Sequence, residues 1–198
     1  MNALTIVHET IRKFVGVGDV VIDATAGRGY DTSFLCSLVG DSGKVISFDV
    51  QKDAVDSTEN LLKSRGQTAD VHLESHENMT KYADRDSVSC IVFNLGYLPS
   101  GDHSVFTHAE STIKAIEGGL GLLKKGGLMC VSVYYGGDSG YEERDALLPY
   151  LKTLDSSKYQ VLKLDFYNWT NDPPFPVFII KNLSLIHISE PTRLQLIS

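Results

Sequence analysis

The chain has 198 residues, of which 42% are hydrophobic and 22% are charged. This length and apolar content suit one compact domain with its own core, and they exclude wholesale disorder and make a two-domain enzyme improbable. The chain has 18 basic and 25 acidic residues, a net charge of −7. Because the whole chain does not attract phosphate, any contact with nucleic acid must depend on a local patch.

Three cysteines, Cys36, Cys90 and Cys130, lie far apart in apolar runs. This pattern predicts buried thiols in a reducing compartment rather than a disulfide framework. No CxxC pair points to zinc, so we expect no metal. No apolar run is long enough to cross a membrane, and the N-terminus lacks the pattern of a signal peptide. We therefore expect a cytoplasmic enzyme without a membrane partner.

The predicted elements alternate between helix and strand. Apolar residues at helical spacing predict a first helix that reaches Val15 and is stopped by Gly16 and Gly18. The predicted strands cover 19–24, 45–49, 70–74, 88–93, 128–134, 159–167 and 176–181. The predicted helices between them cover 30–39, 52–65, 77–83, 107–124 and 141–154.

This alternation predicts an α/β fold with a seven-stranded, mostly parallel sheet covered by helices on both faces. Only a loop, 168–174, joins the last two strands, so they should form an antiparallel hairpin at one edge. The pattern resembles the Rossmann-like class I methyltransferase fold, and we predict one domain over 1–181. Residues 182–198 resemble a translated cloning scar and are expected to be a non-native tail, with a genuine terminal strand as the alternative.

A glycine turn follows the first predicted strand, with Gly27 and Gly29 placed after Asp23 in an Asp-x-x-x-Gly-x-Gly spacing. Glycines let the backbone approach a ligand closely. The spacing differs from the GxGxxG of dinucleotide-binding turns, which favours a ligand without a phosphate. Asp49 ends the second strand and should reach the same edge of the sheet, where its carboxylate could accept hydrogen bonds from ribose hydroxyls.

Together these features resemble the S-adenosylmethionine site of class I methyltransferases. The resemblance implies that the glycine loop lies along the amino-acid part of the cofactor, Asp49 on the ribose and Gln51 beside the adenosine. A plain tight turn, with Asp49 only capping the next helix, and a surface position for His76 remain alternatives. The positions assigned to the cofactor are Asp23, Thr25, Gly27, Gly29, Asp49, Gln51, Ser75, His76 and Asn94.

An elaborate loop follows the fourth predicted strand and contains Asn94, Tyr97, Asp102 and His103. Amino-methylating members of the methyltransferase fold carry an Asn/Asp-Pro-Pro-aromatic motif here, whose amide oxygen accepts a hydrogen bond from the substrate nitrogen. Asn94 and Tyr97 match the ends of that motif. Leucine and glycine replace its two prolines, so its rigid backbone shape does not carry over.

The run from Asn94 to Asp102, together with 111–116 and 171–175, resembles the tRNA 5-aminomethyl-2-thiouridine methyltransferases, a family once described as rRNA methylases. The resemblance covers about residues 5–181. It implies methyl transfer from S-adenosylmethionine to the aminomethyl group of the wobble uridine, with the tRNA anticodon region as partner. The chain departs from the family at 134–138, where Tyr134 begins a run without the His-Gly-His-like turn.

Under this resemblance Asn94 orients the amine, Tyr97 bounds or stacks on the base, and Asp102 or His103 accepts the proton, so these four are the candidate catalytic residues. Packing and loop roles for the same residues remain open. The alternatives for function are methylation of rRNA, of a small amine or of a protein side chain, and cofactor binding without catalysis. A homodimer is also left open.

Other polar residues carry weaker signals. His8, His72 and His108 are expected to be ordinary surface or core residues. The loop 171–175 could aim its first two residues at the cleft or could be a rigid connection. The nearest set of basic residues consists of Lys114, Lys124, Lys125 and Arg144. The two adjacent lysines are more typical of a helix end than of an RNA site.

Overall fold

The computed structural model describes residues 2–95, 109–134, 138–170 and 173–183, with the backbone alone for 138–143. The helices are α1 Ala3–Ile11, α2 Tyr30–Val39, α3 Lys52–Ser64, α4 Ala109–Leu122 and α5 Asp138–Lys152, and a 3₁₀ helix covers His76–Lys81. The strands are β1 Val20–Asp23, β2 Lys44–Asp49, β3 Asp70–Leu73, β4 Val88–Leu95, β5 Leu123–Val133, β6 Tyr159–Lys163 and β7 Phe175–Lys181.

The strands form one sheet in the order β3-β2-β1-β4-β5-β7-β6. Strands β1 to β5 pair in parallel, whereas β7 is antiparallel to both β5 and β6. The predicted α/β class, mostly parallel sheet and terminal hairpin are confirmed. The strand order reverses between β1 and β4, and ligands of open α/β sheets bind at such a switch point, beyond the carboxyl ends of the strands.

Helices cover both faces of the sheet because neighbouring strand residues point to opposite sides. Ile22 packs in a core with α4 and α5, while the adjacent Val21 packs in a second core with α1 and α2. Phe48 and Phe93 are fully buried in the first core. The sheet is therefore packed between two cores, which position the carboxyl ends of its strands.

Several predicted boundaries were wrong, and four of them show why. The first helix ends at Ile11 rather than Val15, and β6 ends at Lys163 rather than 167. The segment predicted as a helix over 77–83 is a 3₁₀ helix over 76–81. Strand β5 begins at Leu123, five residues before the predicted start, because Leu123 pairs with Val88 of the neighbouring strand β4. This pairing also ends α4 at Leu122. Pairing between distant residues overrides the local helical pattern there.

The remaining expectations concern cysteines, membranes and the tail. Cys36, Cys90 and Cys130 are free and buried, as predicted. Within the described ranges, none of the helices combines the length and apolar character needed to cross a bilayer. Asn182 donates hydrogen bonds to the carbonyl groups of Ser156, Ser157 and Lys158. Residues 184–198, most of the predicted tail, lie outside the described residues.

Candidate active site

The residues predicted to hold the cofactor lie at or just after the carboxyl ends of four adjacent strands, β3, β2, β1 and β4. Hydrogen bonds that involve side chains connect these strand ends. Gly27 donates its N–H to Asp49 Oδ2 at 2.9 Å, and Asn94 donates its N–H to Thr25 Oγ1 at 2.7 Å. His76 Nδ1 lies 3.1 Å from the carbonyl oxygen of Ala24. The structure therefore brings these predicted positions together at one edge.

Asp49 closes the loops after β1 and β2. Its second oxygen, Oδ1, accepts the N–H of Gln51 at 2.9 Å. Gln51, not Asp49, occupies the N-cap of α3, so the alternative in which Asp49 caps the helix is wrong. A carboxylate offers about four lone-pair sites, and the two N–H groups leave two of them for ligand hydroxyls.

Gly29 is required by packing as well as by backbone conformation. Its φ of +80° is unfavourable for other residues, and a Cβ there would lie 2.8 Å from Thr58 Cα on α3. The sequence predicted a glycine for close approach of a ligand. The structure adds that α3 itself approaches too closely to tolerate a side chain at Gly29.

Asp23 lies beneath the loop, fully buried. It accepts hydrogen bonds from the Thr32 hydroxyl at 2.6 Å and from the Thr25 N–H at 3.1 Å. Burial, with the negative charge of Asp31 as the second cause, raises the pKa of Asp23 to about 7. Its described contacts support the loop from below.

We expect Asp23→Asn to become more stable than the wild type as the pH rises. Between the ordinary pKa of 3.8 and about 7, the carboxyl group stays protonated in the folded protein and ionises in the unfolded chain. Its contribution to stability therefore falls as the pH rises through this window and is constant above it. Each pKa unit corresponds to about 1.4 kcal/mol. An amide keeps both contacts, because Thr32 can accept from the new NH₂ group and donate to Ser47, 3.0 Å away.

Urea unfolding at several pH values between 4 and 8 measures this effect as the difference between the free energies of unfolding of variant and wild type. The exposed Asp53, on the first turn of α3, provides the control Asp53→Asn, which removes a carboxylate that is not buried. A difference for Asp23→Asn that does not change with pH would contradict the raised pKa of Asp23.

His76 is only 9% exposed, so the alternative of a surface histidine is wrong. Burial lowers its pKa and keeps the ring neutral. A neutral ring that donates from Nδ1 to the Ala24 carbonyl has an acceptor lone pair at Nε2. Nε2 is buried and has no partner among the described residues. The neighbouring Ser75 accepts the Glu77 N–H at 3.4 Å and caps the 3₁₀ helix.

Asn94 lies at the carboxyl end of β4, between two fixed groups. Its backbone N–H is held by Thr25, and its side-chain Nδ2 donates a hydrogen bond to Asp31 Oδ2. The other end of the amide, Oδ1, is buried and finds no donor in the described part of the chain. An unpaired buried acceptor costs about 1–3 kcal/mol, which a ligand that donates a hydrogen bond would recover.

Sequence reasoning missed the pair formed by His8 and Asp31. His8 was expected to be an ordinary residue of a helix, but its Nε2 lies 2.6 Å from Asp31 Oδ1 and its ring stacks on Phe34 at 3.9 Å. Asp31 was visible as an acid in the first turn after the glycine loop, where it also suits the helix dipole. The contact with α1, 23 residues earlier, has no local signature.

Tyr134 lies next to this group. It follows β5, the strand paired with β4, and its side chain is 39% exposed. Burial and then the negative charge of Asp31 raise the pKa of Tyr134. The residue that stands where the family resemblance led us to expect a histidine turn is therefore a neutral phenol beside the site.

The other residues singled out in the sequence are either outside the described part of the chain or paired elsewhere. Tyr97, Asp102, His103, His108 and the pair at 171–172 lie outside the described residues. Three members of the basic set are paired with acids: Lys114 with Glu77 at 3.0 Å, Lys124 with Asp19 at 2.7 Å and Arg144 with Asp145 at 2.5 Å. The described ranges contain no cluster of three His, Cys, Asp or Glu side chains that could hold a metal ion.

Comparison with known proteins gives a family match and a curated relative. Residues 45–180 match the family described as "Putative rRNA methylase". The chain is 31% identical over 189 residues to the chloroplastic tRNA (mnm(5)s(2)U34)-methyltransferase of Arabidopsis thaliana. That alignment covers 90% of this chain and 68% of the relative.

Two solved structures resemble the whole described fold. One, described as a putative rRNA-methylase from Clostridium thermocellum, has a TM-score of 0.89 and 45% identity and covers 91% of this chain and 98% of that chain. The other, a putative methyltransferase from Streptococcus mutans in complex with SAH, has a TM-score of 0.83 and 34% identity with the same coverage, 91% and 98%. The family match spans more than half of the chain and agrees with the sheet order and the site, so this chain is a class I methyltransferase of the family described as "Putative rRNA methylase".

Proposed function

We propose that the protein transfers a methyl group from S-adenosylmethionine to the aminomethyl group of a modified wobble uridine in the tRNA anticodon region, converting 5-aminomethyl-2-thiouridine to 5-methylaminomethyl-2-thiouridine. The observation that carries this proposal is Asn94 Oδ1, a buried acceptor without a described partner at the carboxyl end of β4. An amine nitrogen is a donor that would satisfy it. The Arabidopsis relative, named for this wobble position, supports the choice of tRNA.

The described side chains fit the proposed cofactor. Asp49 has two lone-pair sites left for ribose hydroxyls. Val50 and Leu73, just after β2 and at the end of β3, are 58% and 54% exposed, so they offer an apolar surface that an adenine ring would cover. His76 Nε2 is a buried acceptor close to the same loops. Polar groups for the sugar and apolar groups for the base are therefore both present at this edge.

When bound, S-adenosylmethionine would supply an electrophilic methyl carbon on its sulfonium sulfur and would leave as S-adenosylhomocysteine, while the amine nitrogen would gain the methyl group and lose a proton. Asn94 orients the nitrogen through Oδ1. Only the free amine of the acceptor is nucleophilic, and its protonated ammonium form is not. Because Asn94 is a neutral amide, it stabilises that ammonium form less than a carboxylate in the same position would. We keep Tyr97 as the proposed contact with the base, and Asp102 or His103 as the proposed proton acceptor.

Exposed aromatic side chains favour RNA over a small amine as the substrate. The connection between β6 and β7 leaves Tyr167 fully exposed and Trp169 52% exposed, with Trp169 stacked on Phe166 at 4.7 Å. Because Phe175 pairs with Val133, this connection emerges at the same edge as Asn94. The end of this connection at β7 lies two strands from β4, which is about 10 Å. Flat exposed rings are the usual platform for unpaired bases.

We expect an anticodon stem-loop RNA to quench the fluorescence of Trp169, the only tryptophan of the chain. We also expect Tyr167→Ala to raise the KM for tRNA about 5- to 10-fold, since stacking on an exposed ring is worth about 1 kcal/mol or more per base. The control Leu162→Ala removes an exposed apolar side chain from β6, outside this connection. Unchanged Trp169 emission at saturating RNA would exclude this surface from binding.

A second candidate, methylation of rRNA, is favoured by the description of the matching family. An incubation of the wild-type protein with labelled S-adenosylmethionine distinguishes the two candidate substrates. One reaction contains tRNA and the other contains rRNA, both from cells that lack the gene. Mass spectrometry of the nucleosides then identifies the product. We expect 5-methylaminomethyl-2-thiouridine in tRNA only. Label in rRNA alone, or transfer that survives RNase treatment of a cell extract, would overturn the proposed substrate.

The proposed compartment is a reducing one, such as the cytoplasm. All three cysteines are free and buried, as thiols of a reducing compartment are. Burial raises the pKa of the Cys36 thiol to about 11 and also raises that of Cys130, which keeps both in the unreactive protonated form.

A further inference from the structure

We propose that Asp31, held in place by His8, is a positioning residue that fixes the orientation of the Asn94 amide and so directs Oδ1 into the cleft. This inference rests on the proposed function, in which Asn94 Oδ1 receives the acceptor amine. It adds two residues that the sequence pattern did not single out. The three side chains come from α1, α2 and β4, so only the folded chain brings them together.

Asp31 determines which end of the Asn94 amide is the oxygen. An ionised carboxylate only accepts hydrogen bonds, so the end of Asn94 that faces Asp31 must be the NH₂ group. Oxygen and nitrogen of an amide are otherwise assigned from their neighbours. With Asp31 on one side, the opposite end is necessarily the oxygen. Without Asp31, nothing in the described contacts would distinguish the two orientations.

Asp31 is itself held by His8. Its Oδ1 lies 2.6 Å from His8 Nε2, and an imidazole nitrogen beside a carboxylate donates its hydrogen. The ring of His8 is stacked on Phe34 with an angle of 12° between the planes, and the Arg12 guanidinium lies 4.9 Å from the centre of the Phe34 ring. His8 therefore has a fixed orientation. With Oδ1 engaged by His8, Oδ2 of Asp31 is directed to Asn94.

Asp31 and His8 are both largely buried. The side chain of Asp31 is 14% exposed and that of His8 is 25% exposed, so water competes little for either group. Charge-assisted hydrogen bonds are the strong ones in such surroundings. The chain His8, Asp31, Asn94 ends at an oxygen without a described partner, which makes the open end of the network the point where a ligand amine would bind.

A simpler role for Asp31 is that of an acid in the first turn of α2, where its charge stabilises the helix. That role needs neither His8 nor Asn94. It predicts a loss of stability that adds to the effect of any change at Asn94. A positioning role predicts instead that the effects of Asp31 and Asn94 on turnover are not additive.

The first experiment needs no activity. In the ¹H–¹⁵N spectrum of the cofactor-free protein labelled at asparagine side chains, the Asn94 amide, assigned with Asn94→Ala, should have one proton shifted strongly downfield by the Asp31 carboxylate. Asp31→Ala should move this signal to the position of exposed asparagines such as Asn60 on α3. If the chemical shifts of the Asn94 side-chain amide are the same in Asp31→Ala as in the wild type, the proposed contact is wrong.

The second experiment measures kcat with tRNA at saturating S-adenosylmethionine. Asp31→Ala should lower kcat about 10-fold in the wild-type background but less than 2-fold in the Asn94→Ala background. Asn94→Asp places two carboxylates next to each other and removes the donor between them. Adding Asp31→Asn to that variant restores a donor, and kcat should rise at least 10-fold over that of Asn94→Asp alone. Independent effects of Asp31 and Asn94, or no recovery in the double variant, would refute the positioning role.

His8 offers a matched pair of variants. His8→Gln keeps a side-chain N–H donor, whereas His8→Phe keeps a ring that can stack on Phe34 but cannot bind Asp31. We expect kcat to be closer to the wild type in His8→Gln, and the reverse order would show that stacking alone matters. If the wild type does not methylate tRNA, the proposed function fails, while the asparagine spectrum still decides whether Asp31 and His8 orient Asn94.

Discussion

Asn94→Ala is expected to lower kcat for methylation of tRNA about 100-fold or more while leaving the affinity for the cofactor nearly unchanged. The variant removes the Oδ1 acceptor, and loss of alignment between reacting atoms costs rates of this order. The backbone N–H of residue 94 still reaches Thr25 Oγ1, 2.7 Å away, so the loop after β1 keeps its support. The change should therefore act on the acceptor side of the cleft.

Single-turnover kinetics with saturating cofactor, together with calorimetry of S-adenosylhomocysteine binding, separate the two effects. The matched control is Asn60→Ala, which removes the same amide from the exposed surface of α3. A wild-type rate for Asn94→Ala would mean that the amide has only a structural role. A loss of cofactor affinity equal to the loss of rate would place Asn94 at the cofactor rather than at the amine.

Asp49→Ala is expected to weaken binding of S-adenosylhomocysteine about 100-fold. Two hydrogen bonds from ribose hydroxyls to a charged acceptor, at about 1.5 kcal/mol each, account for this loss. The variant also frees the N–H groups of Gly27 and Gln51, which Asp49 holds at 2.9 Å in the wild type. Both the direct contact and the shape of the loop are then lost.

Calorimetry with S-adenosylhomocysteine measures the dissociation constant, and thermal unfolding without ligand reports the stability of each variant. Asp53→Ala removes the same charge from the first turn of α3 without a described contact to the loop, so its affinity should stay within about 2-fold of the wild type. An unchanged affinity in Asp49→Ala would remove Asp49 from the cofactor site.

The strands of the sheet could be predicted from the sequence because each of them is marked by a local pattern of apolar residues. Apolar runs separated by helical periods define the strands, and the order of elements permits few topologies. The ends of elements were less predictable. The helical pattern of α4 continues through Leu123, yet Leu123 pairs with Val88 in the sheet, and only the folded chain shows which interaction is stronger.

The residues of the candidate site also include some that could be predicted from local sequence and some that could not. Asp49 and Gly27 could be predicted because they follow strands at fixed positions, and their hydrogen bond confirms that they meet. The reason for Gly29 was only partly predictable, since its contact with Thr58 depends on how α3 packs. His8 was missed because its partner Asp31 is 23 residues away on another helix. A contact between residues on different helices is not revealed by any characteristic spacing in the sequence.

The carboxylate of Asp49 holds the glycine loop through backbone N–H groups that do not depend on any ligand. The loop is thus preorganised, and little conformational entropy has to be lost when a ligand arrives. Association at this loop then requires no prior ordering of its backbone, so the observed rate of binding there should increase in proportion to ligand concentration without reaching a plateau. In this part of the site, affinity is governed by how quickly the ligand leaves.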